Sequence, residues 1–300
     1  MKSGILVVNK PRNMTSRDVV NIVCKKLNTK HIGHTGTLDP LATGVLVLGV
    51  NDGCKVIELL TSVDKEYIAS VIVGIETDTL DVTGEVLKTY NIETLDQQKL
   101  EEVLDSFRGK YMQEVPKYSA VHVDGKRLYE YARNQEQVVL PKREVEIKEI
   151  ELLDLPRLRD GFFTFSFRVH VSKGTYIRSL IRDIGMRLGW PCTMQKLERT
   201  RQGIFSLRDS LDLEDVLEDK LISISKTLAE YERLIVDSKL ELKVRNGAIL
   251  DGIVCDSYLL ILNQKEELLA IYQPYQPYQK DLTKIKPYKV FGGMGNEKTK

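Results

Sequence analysis

The 300-residue chain holds only four cysteines, Cys24, Cys54, Cys192 and Cys255, each alone and none in a CxxC pair. That scatter argues against a disulfide framework and a thiolate zinc site, and fits reduced thiols in a core. No stretch approaches the roughly 18 consecutive apolar residues of a membrane span, and the run Ile5 to Val8 is too short for a signal-peptide core. A soluble, cytoplasmic protein is the expectation. An excess of one charge is missing too: 44 Lys and Arg against 43 Asp and Glu leave a formal net charge of +1, so composition alone points to no nucleic acid. No internal repeat is present; YQPYQPYQ at 272–279 is a local biased patch. What the chain does have is 42% hydrophobic residues, enough for one large domain with a small appendage.

The pattern predicts a buried strand at Ile5 to Val8. A capping box, Thr15-Ser16-Arg17-Asp18, then opens a helix with Val19, Val20, Val23 and Leu27 on one face. Val45 to Val50 reads as a second buried strand, followed by a short helix through Val56, Ile57, Leu59 and Leu60. Glu66–Gly74, Glu144–Leu153 and Phe162–Val171 alternate as half-covered strands do, while Leu95–Phe107 and Tyr176–Leu188 carry helical spacing. Asp212–Leu221 reads as another short helix. From about Ser238 the texture becomes short strands with turns at Asn246-Gly247 and Asp251-Gly252. Pro116 to Arg143 is polar, aromatic and basic, with a turn at Asp124-Gly125 and a helical look from Arg127 to Asn134; it reads as a protruding hairpin or loop. Between Arg157 and Arg208, eleven basic residues face three acidic ones, which is either a phosphate-binding face or ordinary solvated surface.

The most unusual segment is GHTGTLDPLATG, 33–44. Its glycines permit backbone conformations closed to other residues, and Asp39 is held extended because it precedes Pro40. Taken alone, such an aspartate is more often a turn residue than a catalyst. A P-loop lacks its Gly-Lys-Ser/Thr ending here, and a zinc site through His31 and His34 lacks a third ligand nearby.

The same segment, continued as GHTGTLDPLATGVLVLGV, resembles the catalytic signature of the TruB family of tRNA pseudouridine synthases. Four further stretches resemble that family's motifs in order: Asn9-Lys10-Pro11 with Thr15-Ser16, Lys65-Glu66-Tyr67, Ser172-Lys173-Gly174-Thr175-Tyr176-Ile177-Arg178-Ser179-Leu180, and Leu197-Glu198-Arg199-Thr200-Arg201. Resemblance covers roughly residues 4–230. It implies an α+β pseudouridine synthase fold, with a central mixed, largely antiparallel sheet flanked by helices, over residues 1–235. Residues 236–300 would form a small β-rich, PUA-like domain, to which the likeness is weak.

The resemblance also implies a reaction and its residues. Uridine 55 in the T-loop of tRNA would be isomerised to pseudouridine without a cofactor, since the conversion involves no net redox change. Asp39 would be the nucleophile or electrostatic stabiliser beside ribose and base. Arg178 would keep a buried carboxylate charged, and Tyr67 would stack on the uracil and assist proton removal. Tyr176 and Leu197 would line the base pocket, with Lys10 and Pro11 supporting it from behind. His34 would stack in the loop rearranged by base flipping. The 116–143 segment would grip RNA through Lys117, Lys126, Arg127, Lys142 and Arg143, and several cations of the 157–208 stretch would meet phosphates. Glu198 departs from the family pattern, where a neutral or basic residue is common. The partner expected is the tRNA T-arm, with no membrane, no obligatory protein partner and a monomeric chain.

Overall fold

The computed structural model describes residues 2–275 and 283–292; the part of the tyrosine-rich patch from Gln276 to Gln279 lies outside them. Strand β1 (Gly4–Lys10) is followed by helix α1 (Ser16–Lys26), strand β2 (Ile32–His34) and strand β3 (Thr43–Val50). The capping box forms as expected, with Thr15 accepting from Asp18 N–H and Asp18 accepting from Thr15 N–H. After a 3-10 turn come α2 (Ile57–Thr61), β4 (Lys65–Val73), the hairpin β5 (Ile75–Thr77) and β6 (Val86–Thr89), then α3 (Gln97–Asp105) and β7 (Gly109–Glu114).

The polar segment folds as a small hairpin, β8 (His122–Val123) and β9 (Lys126–Arg127), turning at Asp124-Gly125 with positive φ at both residues, and leads into α4 (Leu128–Arg133). Next come β10 (Lys142–Leu152), β11 (Arg157–Arg159), β12 (Phe162–Val171), α5 (Ile177–Leu188), β13 (Cys192–Gln202) and β14 (Phe205–Ser206).

These strands form a ten-stranded sheet in the order β1-β3-β13-β4-β12-β10-β7, with β2, β11 and β14 off that path. Every pairing is antiparallel except β3 with β13, so the sheet is mixed and largely antiparallel, as the resemblance implied. Two sequence textures have distinct causes. β1 and β3 are buried on both faces: Leu6, Val8, Leu46 and Leu48 pack on Val19, Val20 and Val23 of α1, while Ile5, Val7, Val45 and Val47 pack on Leu260, Leu262 and Ile271 of a second body. Hence their continuous apolar runs. β4 and β12 alternate because only one face meets the core under α3 and α5.

Helix α6 (Ile224–Thr227) leads into the second body, which contains β15 (Glu232–Ile235), α7 (Ser238–Arg245), β16 (Leu250–Asp251), β17 (Leu259–Leu262), β18 (Leu268–Pro274) and β19 (Lys284–Val290). Its five strands run β15-β17-β18-β19-β16. Three expectations need correction. Asp212–Leu221 is not an α-helix but two 3-10 turns, because the backbone at Leu211 and Ile222 pairs with β1 and holds the segment extended between. The stretch from Ser238 begins with a helix, capped by Asp237 and buried through Val244. Gly33 and His34, read as part of the glycine-rich loop, pair with β3 as part of β2.

Parallel pairing of Arg199 with Gly44 brings two backbones together: a β-carbon at Gly44, where φ is +100°, would lie 2.3 Å from the Arg199 carbonyl oxygen. Clash and strain act together there, so Gly44→Ala is expected to destabilise the fold by about 2–4 kcal/mol in urea denaturation. An unchanged midpoint would contradict this account of the strand junction.

Candidate active site

Asp39 sits between β2 and β3, flanked by Leu38, Leu41 and Ala42, all buried in the core that also holds Tyr67, Ile177 and Leu197. Three ties fix this turn from behind. Ser16 at the start of α1 accepts from Leu38 N–H at 2.9 Å, Asn13 N–H donates to the Pro40 carbonyl at 2.8 Å, and Ala42 N–H donates to the Asp39 carbonyl at 3.0 Å. The Lys10 ammonium, fully buried, donates to the carbonyls of Met14 at 2.6 Å, Pro11 at 2.9 Å and Pro40 at 3.5 Å. Pro11 contributes its carbonyl to this support and is otherwise exposed.

Arg178, in the first turn of α5, reaches Asp39 side-on, with Nε to Oδ2 at 2.9 Å and Nη2 to Oδ1 at 3.3 Å. Two more of its N–H groups donate to the Thr79 carbonyl at 3.1 Å and the Tyr118 carbonyl at 3.0 Å. The burial is the reverse of the sequence expectation. The arginine side chain is 7% exposed and the carboxylate 40%, so the cation is enclosed and the anion keeps a face open to solvent. An enclosed guanidinium needs every donor satisfied, and the two-point geometry supplies charge and direction together.

Tyr67 lies on β4 between Val169 and Arg199, 6% exposed. Its hydroxyl makes no hydrogen bond among the described residues, yet is not enclosed. Leu197 on β13 belongs to the same core, and Tyr176 immediately precedes α5. The structure thus brings Asp39, Arg178, Tyr67, Leu197, Tyr176 and Lys10 into one neighbourhood.

His34 ends β2 opposite Leu48, half-buried, with Nδ1 enclosed and unpartnered. Burial first, and then the cations Arg17 and Arg199, push its pKa below the ordinary value, favouring a neutral ring.

The 116–143 segment is only partly free. Lys126 pairs with Glu136 at 3.2 Å and lies over the Tyr131 ring, and Arg127 donates to the Tyr129 hydroxyl at 3.0 Å. Arg143 lies over the Tyr176 ring at 5.3 Å, whereas Lys117 and Lys142 are exposed. Nor do the 157–208 cations form one face. Arg199 is buried, Arg168 pairs with Glu151, Arg182 with Glu114 and Asp183, and Arg187 lies on the Phe107 ring. Arg157, Arg159 and Lys196 line a cavity of about 240 Å³ with Ser70 and Ser166.

Sequence reading missed three supports. Arg199 donates to the carbonyls of Val45 at 2.7 Å and Gly36 at 3.3 Å, beneath the glycine segment. Asp81 is 5% exposed and accepts from Thr79 Oγ1 and Thr83 N–H, shaping the turn that offers the Thr79 carbonyl to Arg178. Gln113 holds the backbone of Tyr176. The polar run Thr77-Asp78-Thr79 before Asp81 signalled a turn, but no local pattern told which group it served.

Residues 24–177 match a family model described as TruB family pseudouridylate synthase (N terminal domain), and residues 178–238 match the tRNA pseudouridylate synthase B C-terminal domain. A relative from Shouchella clausii, tRNA pseudouridine synthase B, is 39% identical over 299 residues, spanning 96% of this chain and 98% of its own. The protein of the same name from Staphylococcus saprophyticus is 40% identical over 307 residues, spanning 97% and 100%. Among solved structures, an H/ACA RNP bound to a substrate RNA containing 2'-deoxyuridine holds a chain matching with TM-score 0.69 and 26% identity over 96% of this chain and 84% of that one. A chain of a Cbf5-Nop10-Gar1 complex matches with TM-score 0.68 and 27% identity, over 96% and 83%.

Burial of the Lys10 ammonium outweighs the attraction of Asp39 and lowers its pKa from 10.5 to about 8. Between those values the unfolded chain keeps a proton that the folded chain has released, so Lys10 makes stability rise with pH across that window. Wild type should therefore gain on Lys10→Met by about 3 kcal/mol between the lower and upper pKa, read from urea midpoints at each pH. A pH-independent difference between the two proteins would refute this.

Proposed function

Because the chain belongs to the TruB family of pseudouridylate synthases, and so is an isomerase acting on tRNA, we propose that it converts uridine 55 of the T-loop, with Asp39 as its nucleophile. The observation carrying this reading is the side-on Arg178–Asp39 pair, whose carboxylate keeps a face open to solvent. Isomerisation breaks the bond from ribose C1′ to N1, forms one from C1′ to C5, and moves the C5 proton away while N1 gains one. Such a sequence needs an anion beside C1′ and the base and a group that takes up the C5 proton. Asp39 supplies the first, and the unpartnered Tyr67 hydroxyl supplies the second, releasing its own proton to solvent as it takes up the one from C5.

The target uridine is stacked in a folded loop and must be turned out to reach Asp39. His34, favoured neutral by its surroundings, offers a π-face for the rearranged loop without drawing in a counter-ion. Tyr176 and Leu197 border the pocket. Lys117 and Lys142, exposed on the 116–143 segment, meet phosphates, and Lys126, Arg127 and Arg143 join them by exchanging their internal partners. The second body is an RNA-binding domain whose boundary we place just before Glu232, the first residue of its sheet. The purified chain acts as a monomer without protein partners.

Incubating the chain alone with unmodified tRNA transcript, followed by nucleotide-resolution mapping, should place pseudouridine at position 55. Modification elsewhere, or only after adding a guide RNA or protein partners, would refute the specificity. Asp39→Asn should lower turnover by roughly a thousandfold or more while leaving tRNA affinity within a few-fold, since the amide keeps the shape and loses the charge. Tyr67→Phe should bind as wild type and lose turnover. Substantial activity in the Asn variant would remove Asp39 from the chemistry.

A further inference from the structure

Gln113, near the end of β7, is fully buried, and the reaction outlined above makes no use of it. Its carboxamide faces the backbone of a residue far along the chain. Oε1 accepts from Tyr176 N–H at 2.8 Å, and Nε2 donates to the Tyr176 carbonyl at 3.1 Å and to the Tyr111 phenol oxygen at 2.6 Å. Tyr176 is the N-cap of α5, and its own side chain caps nothing. The first turn of α5 therefore takes its anchor from β7. Glu114 extends that anchor: its carbonyl accepts from Ser179 Oγ at 2.8 Å and its carboxylate pairs with Arg182 at 2.9 Å. Arg178 lies between these held positions, and four residues after Glu114 the Tyr118 carbonyl receives its Nη2.

We infer that Gln113 is a positioning residue for the isomerisation: by gripping both backbone groups of Tyr176 it sets the start of α5, and with it the placement of the Arg178 guanidinium against Asp39. This inference rests on the reading that Asp39 and Arg178 serve pseudouridine formation. Two-point recognition of one peptide residue demands a side chain with one donor and one acceptor side by side. A glutamine has both. Methionine has neither, and an ionised glutamate has only the acceptor, with a second oxygen set against the Tyr176 carbonyl. A protonated glutamate restores one donor, enough for the Tyr176 carbonyl, and leaves the Tyr111 phenol to turn its own proton toward the carboxyl.

The test is single-turnover pseudouridine formation by wild type, Gln113→Met and Gln113→Glu, over a range of pH, with tRNA affinity and folding measured alongside. Gln113→Met is expected to slow the step by about tenfold to a hundredfold, as small displacements of reacting groups do, with affinity within a few-fold. Gln113→Glu should behave like it at alkaline pH and recover toward wild type as pH falls and the buried carboxyl takes up its proton. A folded Gln113→Met protein turning over at the wild-type rate overturns the inference, as does a ratio of Gln113→Glu to wild type that is flat with pH. If the Met variant fails to fold, the pH dependence of the Glu variant decides; if neither folds, Gln113 is a structural residue and the inference falls. Wild type making no pseudouridine would instead refute the proposed function.

Discussion

A guanidinium taken out of water costs several kcal/mol unless every donor is met, and the arrangement around Arg178 follows from that cost. Its partners come from positions 39, 79 and 118, three segments with no sequence proximity. Each loop bringing an acceptor is in turn held by something else: Asp39 by Ser16, Asn13 and Lys10, Thr79 by the Asp81 turn, Tyr118 by its hydroxyl on Asp78. The buried cation acts as a template that the surrounding loops must satisfy, and among its acceptors the carboxylate is left partly in solvent.

Behind this pair stands a second cationic layer. Lys10 and Arg199 are buried, and the hydrogen bonds they make go to backbone carbonyls. Carbonyl ligands fix a cation's position without cancelling its charge. Asp39 therefore looks back onto positive charge from Arg178 and Lys10 while its other side is open to solvent, an environment set before any substrate arrives. The lowered pKa of Lys10 measures what that layer costs the fold.

The legible parts of this structure were those whose cause is local. The Thr15–Asp18 capping box, the doubly buried runs of β1 and β3 and the alternation of β4 and β12 each record an environment in a few adjacent residues. Asp39, Tyr67 and Arg178 were legible only through motif resemblance; nothing in their spacing showed that the arginine, and not the aspartate, would be the buried partner. Gln113, Asp81 and Arg199 escaped because a buried polar residue is recognised by the distant backbone it satisfies, which no window of sequence contains. Asp212–Leu221 misled for the same reason: helical-looking spacing gave way to pairing with β1.

Rigidity is unevenly distributed, and the distribution fits the division of labour. The segment carrying Asp39 runs from one core, through Leu38, Leu41 and Ala42, into a different one, through Leu46 and Leu48. A loop anchored in two packed cores cannot shift without disturbing both, so the carboxylate is preorganised by the fold and not by its ligand. The 116–143 segment is built the other way. Its hairpin pairs only two residues a side, its cations lean on neighbouring tyrosines and Glu136, and Val139 is 88% exposed. Contacts of that kind are exchanged at little cost, which suits the RNA grip proposed for this segment. Between the two lies the short rail from Gln113 to Tyr118, belonging to the stem of the adaptable part and bonded to the helix of the rigid one. A displacement of that segment can thus reach Arg178 through this rail without passing through the Asp39 turn.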